Sequence, residues 1–115
     1  PIWFKTRQNR ILAVPYPLEI IDIPASAVRR TSASDFADMI IDQYDEMKQQ
    51  SQDQPLVYGI ALHAYIMGQP FRLSHLRRAL THIAKDAAQH GDVVWLTHPG
   101  QIAQHIASLP EGTVV

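Results

Sequence analysis

The chain has 115 residues with a net charge of −1, ten Lys and Arg against eleven Asp and Glu, six His and no Cys. A length of this order supports one compact domain, and the absence of Cys excludes a disulfide scaffold and thiolate zinc sites. Near-neutral charge gives no bulk attraction to nucleic acid or an anionic membrane; with no bilayer-length apolar run and no secretion signal, the expectation is a cytoplasmic protein.

Arg10-Ile11-Leu12-Ala13-Val14 is a short apolar run stopped by Pro15 and Pro17, and reads as a buried strand. Leu18 to Pro24 reads as irregular. From Ser34, a predicted N-cap, Phe36, Met39, Ile40 and Met47 recur at helical spacing, and the helix is predicted to reach about Gln50. Leu56 to Leu62 is a continuous apolar run, as in a parallel strand covered on both faces. Ala64 to Arg72, with Gly68 and Pro70, reads as a loop. Ser74 is predicted to cap a second helix, with Leu73, Leu76, Leu80, Ile83 and Ala84 inward and Arg77, Arg78, Thr81 and Lys85 outward. Gly91 ends it, Val93 to Thr97 reads as a third strand, and a short helix is predicted from about Pro99 to Ser108. The alternation of strand and helix predicts an α/β fold with parallel strands and outer helices. Three such units are too few to close a barrel, which takes about eight strands.

His63 stands where an apolar run meets a Gly- and Pro-containing loop, the end of a parallel strand at which α/β folds build sites. An imidazole there can serve as general acid or base near neutral pH. Glu19 and Asp22 follow the first predicted strand and could orient a substrate or a catalytic His. The pairs His75/His82 and His98/His105 are each seven residues apart, about 10 Å along a helix, and do not make a zinc pair. His98 is a candidate cap for the last helix. Arg72, His75, Arg77 and Arg78 form a short basic cluster without interleaved aromatics, which argues against nucleic acid. Asp35, Asp38, Asp42, Asp45 and Glu46 read as the wet side of the first helix. There is no glycine-rich phosphate loop, nucleophile elbow or calcium loop.

The stretch Gly59 to Pro70 (GIALHAYIMGQP), followed by Arg72 to Leu80 (RLSHLRRAL), resembles the late motif of the polysaccharide deacetylase superfamily, in its allantoinase-like branch. Val14 to Glu19 with Asp22-Ile23-Pro24, Asp35 to Ile40, and Trp95-Leu96-Thr97 ahead of Gly100-Gln101-Ile102 extend the likeness along most of the chain. The chain departs from the branch at Ile21, where Asn is usual, and at Ala64, where Pro is usual.

The resemblance implies one partial domain over residues 1–115, the C-terminal βα units of an irregular (β/α) barrel. It implies a hydrolase of non-peptide C–N bonds, with His63 as general acid to the leaving amine and Glu19, Asp22, Tyr65 and Arg72 as substrate contacts. The family's base and metal ligands would lie upstream of Pro1. No cofactor or metal is therefore expected on this chain, and a divalent ion such as zinc would enter only through those upstream motifs. The implied partners are a small amide, ureide or N-acetyl sugar and either a complementary N-terminal half or further copies of the chain. A start at Pro1, not Met, fits a processed chain or a piece of a longer one. The alternative is a degenerate, non-catalytic domain that acts in binding or self-assembly. A third reading, Pro1 as the base of a small tautomerase, rests on length and Pro1 alone.

Overall fold

A computed structural model describes residues 1–114. Two units are distinguished: Tyr16–Trp95, and Pro1–Pro15 together with the described residues from Leu96 onward.

The first unit is helical. Helix α1, Ala33–Gln50, is capped two residues earlier than predicted because Ser32, not Ser34, is the N-cap: its Oγ accepts the Asp35 N–H at 3.0 Å, and Asp35 adds a negative charge to the first turn. A single-turn helix, α2, spans Ala64–Met67, and α3 spans Pro70–Gln89. The predicted loop 64–72 is therefore mostly helix. Pro70 occupies the first turn of α3, where its fixed φ suits the helix and its missing N–H costs nothing, so α3 begins ahead of the predicted Ser74 cap. Gly68 is the C-cap of α2, where a side chain would collide with the Ala64 carbonyl oxygen.

Helices α1 and α3 pack on each other through Phe36, Ala37, Ile40 and Tyr44 on one side and Leu76, Ala79 and Ile83 on the other, joined by Ile20, Ala25 and Met67. Fully buried Ala37 and Ala79 allow the helices to approach closely. Leu76 and Ile83 face inward as expected, but Ala79 completes the buried face, whereas Leu80, 42% exposed, and Ala84 meet solvent. The acidic series on α1 is exposed as read, yet two of its members cross to α3. Arg78 Nη1 bonds Asp38 at 2.6 Å and His82 Nε2 bonds Asp45 at 2.7 Å.

A third crossing is denser. The Asp86 carboxylate accepts the Tyr44 hydroxyl at 2.6 Å and Lys48 Nζ at 2.7 Å, with His90 Nδ1 at 3.0 Å. The Lys48 hydrogen bond, then that of Tyr44, holds the Asp86 carboxyl down at about 2, while burial pushes the Tyr44 hydroxyl above its ordinary range. A carboxyl lowered on folding contributes stability that is complete above its unfolded pKa and is lost as pH falls toward the folded value. Urea titrations should therefore show wild type losing stability between about pH 4 and 2, with a shallower loss in Asp86→Asn. Parallel pH profiles for the two proteins would remove Asp86 from the acid response.

The second unit holds the one regular sheet among the described residues. Strands β1, Ile2–Lys5, and β2, Arg10–Ala13, pair antiparallel with Ile2 opposite Ala13 and Lys5 opposite Arg10. The hairpin closes through Thr6 and Asn9: the Thr6 N–H reaches the Asn9 carbonyl at 2.6 Å, and the Asn9 side chain accepts the Arg10 N–H. Arg10 lies 4.4 Å above the Trp3 ring and 3.7 Å from Glu111. Helix α4, Pro99–Ser108, has the predicted bounds; His98 is its N-cap but caps with its backbone carbonyl alone.

The expected parallel strands with outer helices of a barrel are corrected accordingly. The run predicted as the first strand is β2, but its partner is the antiparallel β1. Leu56–Leu62 makes a single parallel bridge, Ile21 opposite Ala61, and 93–97 is a turn followed by irregular chain. A continuous apolar run has no period by which to tell a strand from a half-buried irregular segment. A local hairpin, by contrast, needs only a short loop to close. No helix among the described residues is long and apolar enough to cross a membrane.

Candidate functional site

Asp22 is the one buried charged side chain among the described residues, at 0% exposure. The parallel bridge puts it in place: its N–H donates to the Ala61 carbonyl at 3.3 Å, and the Ala61 N–H donates to Ile20 at 3.1 Å. On the other side a π-helical turn, Pro24–Val28, follows directly, with the Ala25 N–H on the Ile21 carbonyl. Arg29 ties the loop down by donating from Nη2 to the Glu19 carbonyl at 2.7 Å.

Both oxygens of the Asp22 carboxylate are taken by one residue. Oδ2 accepts the His63 backbone N–H and Oδ1 contacts His63 Nδ1, each at 2.7 Å. An ionised carboxylate only accepts, so Nδ1 carries the proton and the neutral ring has its lone pair on Nε2. His63 keeps extended backbone (φ −112°, ψ 125°) as N-cap of α2, and its carbonyl receives the N–H groups of Ile66 and Met67. Met67, 1% exposed, roots that turn in the core. Nε2 has no protein partner among the described residues and is not one of the buried polar atoms, so it is open to solvent. The arrangement is a buried carboxylate, an oriented imidazole and an accessible nitrogen able to give or take a proton.

The other candidates distribute around this pair unequally. The Tyr65 ring is 5.4 Å from the imidazole, tilted at 58°, with two-thirds of its surface exposed. Arg72 donates to Ser26 Oγ at 2.9 Å and lies 5.0 Å over the Phe71 ring, which fixes it between the π-helical turn and α3. The Glu19 side chain lines a cleft of about 370 Å³ with Ile20, Met39, Asp42, Gln43 and Glu46; neither Asp22 nor His63 is part of that lining. The basic cluster is dispersed, Arg72 to Ser26 and Arg78 to Asp38. Ser26 was not a sequence candidate and nothing about its spacing singles it out. Nor was the Asp86 group, whose only sequence signal is the i, i+4 spacing of Asp86 and His90.

No protein-family model, no curated protein and no solved structure matches this chain.

Proposed function

We propose that Asp22 and His63 form the acid arm of a hydrolase that cleaves the C–N bond of a small amide, ureide or N-acetyl sugar. The observation that carries this reading is the burial of Asp22 with both carboxylate oxygens spent on His63. The resemblance of residues 59–80 to the late deacetylase motif supplies the reaction class.

In such a reaction water adds to the carbonyl carbon, and the tetrahedral adduct collapses by breaking the C–N bond. The leaving nitrogen must gain a proton as it departs. His63, protonated on both nitrogens, delivers the one on Nε2 and returns to the neutral ring with Nδ1–H still held by Asp22. Tyr65 and Arg72 are the substrate contacts in this reading, with Tyr65 walling one side of the imidazole.

Activation of water and stabilisation of the oxyanion are separate requirements. Among the described residues no three His, Asp or Glu side chains converge to hold a metal ion. A complementary polypeptide is the proposed source of both functions. The chain alone should then be inactive on N-acetyl sugars and ureides, and turnover should appear on assembly with its complementary half. His63→Ala should lower that turnover by about 10²- to 10⁴-fold. Equal turnover by wild type and His63→Ala would defeat the reading.

A further inference from the structure

Arg72 stands where the fold gives no reason for a cation. It lies in the first turn of α3, the positive end of the helix dipole, and that turn holds no acidic residue. No carboxylate of the described residues comes within ion-pair distance of it. The guanidinium is nevertheless fixed, with Nη1 donating to Ser26 Oγ at 2.9 Å and the Phe71 ring centroid 5.0 Å away. A cation that opposes the helix dipole, lacks a counter-ion and is still tied in place breaks a local rule with no stabilising return, as functional groups do.

The bond through Nη1 determines which edge of the guanidinium is left. Nε and Nη2 direct N–H groups side by side along the other edge of the planar fork, the pair that meets both oxygens of a carboxylate. Neither has a protein partner among the described residues and neither is a buried polar atom, so that edge is open.

Ser26 also brings Arg72 to the dyad. The Ala25 N–H reaches the Ile21 carbonyl and the Arg29 N–H reaches that of Pro24, so the chain winds helically from Asp22 through the π-helical turn. Asp22 and Ser26, four residues apart on it, lie on one face about a turn apart. Asp22 holds His63 and Ser26 holds Arg72. The accessible imidazole nitrogen and the open guanidinium edge are thus carried by partners of neighbouring side chains. Asp22 does not neutralise Arg72, because both its oxygens are spent on His63.

We propose that Arg72 is the specificity-determining residue of this site: it takes a carboxylate of the substrate on Nε and Nη2, and so selects a carboxylate-bearing amide or ureide over a neutral N-acetyl sugar. Ser26 is the positioning residue that occupies Nη1 and presents the open edge. The proposal rests on the hydrolase reading for the bond that is cleaved, but the binding step needs neither a complementary half nor turnover.

The test titrates the chain with N-carbamoylglycine and N-carbamoyl-β-alanine, each beside its neutral carboxamide, and follows the ¹⁵N resonances of the Arg72 side chain and the His63 ring. At least one acid should bind about tenfold or more tightly than its carboxamide and move both sets of resonances along one saturation curve. Arg72→Gln should bring that ratio to about one, and Arg72→Lys, which keeps the charge without the fork, should retain only part of it. Ser26→Ala should lower the ratio while leaving carboxamide affinity unchanged, and Ser26→Thr should restore it. If Arg72→Gln loses its helical circular dichroism, the ratio in Arg72→Lys decides, and one equal to wild type counts against the fork. Absence of binding, equal affinity of wild type for acid and carboxamide, a ratio that survives Arg72→Gln, or Arg72 resonances that move without those of His63 overturns the proposal. A tenfold preference in a protein whose assembled form hydrolyses none of these compounds would overturn the hydrolase reading and leave the carboxylate site standing.

Discussion

Asp22→Asn is expected to invert the protonation of the His63 ring and, in the proposed hydrolase, to reduce turnover of the assembled form by on the order of 10³- to 10⁴-fold. In wild type the carboxylate accepts from both the His63 N–H and Nδ1. An amide has one acceptor and one donor end. Its oxygen will stay with the main-chain N–H, which has no second tautomer, and its NH₂ will then face Nδ1. The imidazole answers by moving its proton to Nε2. The amide also brings no negative charge to the imidazolium that must form before a proton is given away. Long-range ¹⁵N correlation spectra read the tautomer directly, and a merely structural contribution would not alter it. Asp22→Ala separates the two effects: it removes both hydrogen bonds, strands buried groups and should cost about 3 kcal/mol of stability. Retention of the Nδ1–H form in Asp22→Asn would remove Asp22 from the role of orienting His63.

The two halves of that pair were unequally visible in the sequence. His63 is legible because an apolar run ends on it and Gly68 and Pro70 follow, which is how a site at the end of an extended segment looks. Asp22 is legible as a residue type in the right loop. Its pairing with His63 is not, because the two are 41 residues apart and are joined by one bridge with no periodicity of its own. The helices were read best. A 3.6-residue period and capping chemistry are local, and α4 has the expected bounds while α1 is shifted only by the choice between Ser32 and Ser34. The apolar runs were read worst. Leu56–Leu62 and Val93–Thr97 have strand composition, but strands require partners, and a partner leaves no local mark. The hairpin shows the converse: β1 is only four residues long, too short for a period of its own, although Thr6 and Asn9 are turn formers.

Phe36→Ala should destabilise the first unit by about 3–5 kcal/mol, the largest single-site loss expected in the core. Phe36 is 1% exposed and belongs to the same cluster as Ile40, Leu76 and Met67, so its removal leaves a cavity that two long helices cannot easily collapse. A domain of this size has only about 5–15 kcal/mol in total, so the variant will sit near the edge of folding. The loss also reaches the dyad, because Met67 holds α2 in that cluster and His63 is the N-cap of α2. The register of α3 supplies the control. Sequence periodicity put Leu80 inward, whereas the packed residue is Ala79. Leu80→Ala should then change stability by less than about 1 kcal/mol, because the leucine already meets solvent and alanine is the better helix former. Ala79→Leu should cost about 1–3 kcal/mol, since it forces a large side chain into the closest approach of α1 and α3. Urea midpoints for the three variants order these outcomes. A Leu80→Ala loss as large as that of Phe36→Ala would return Leu80 to the buried face of α3.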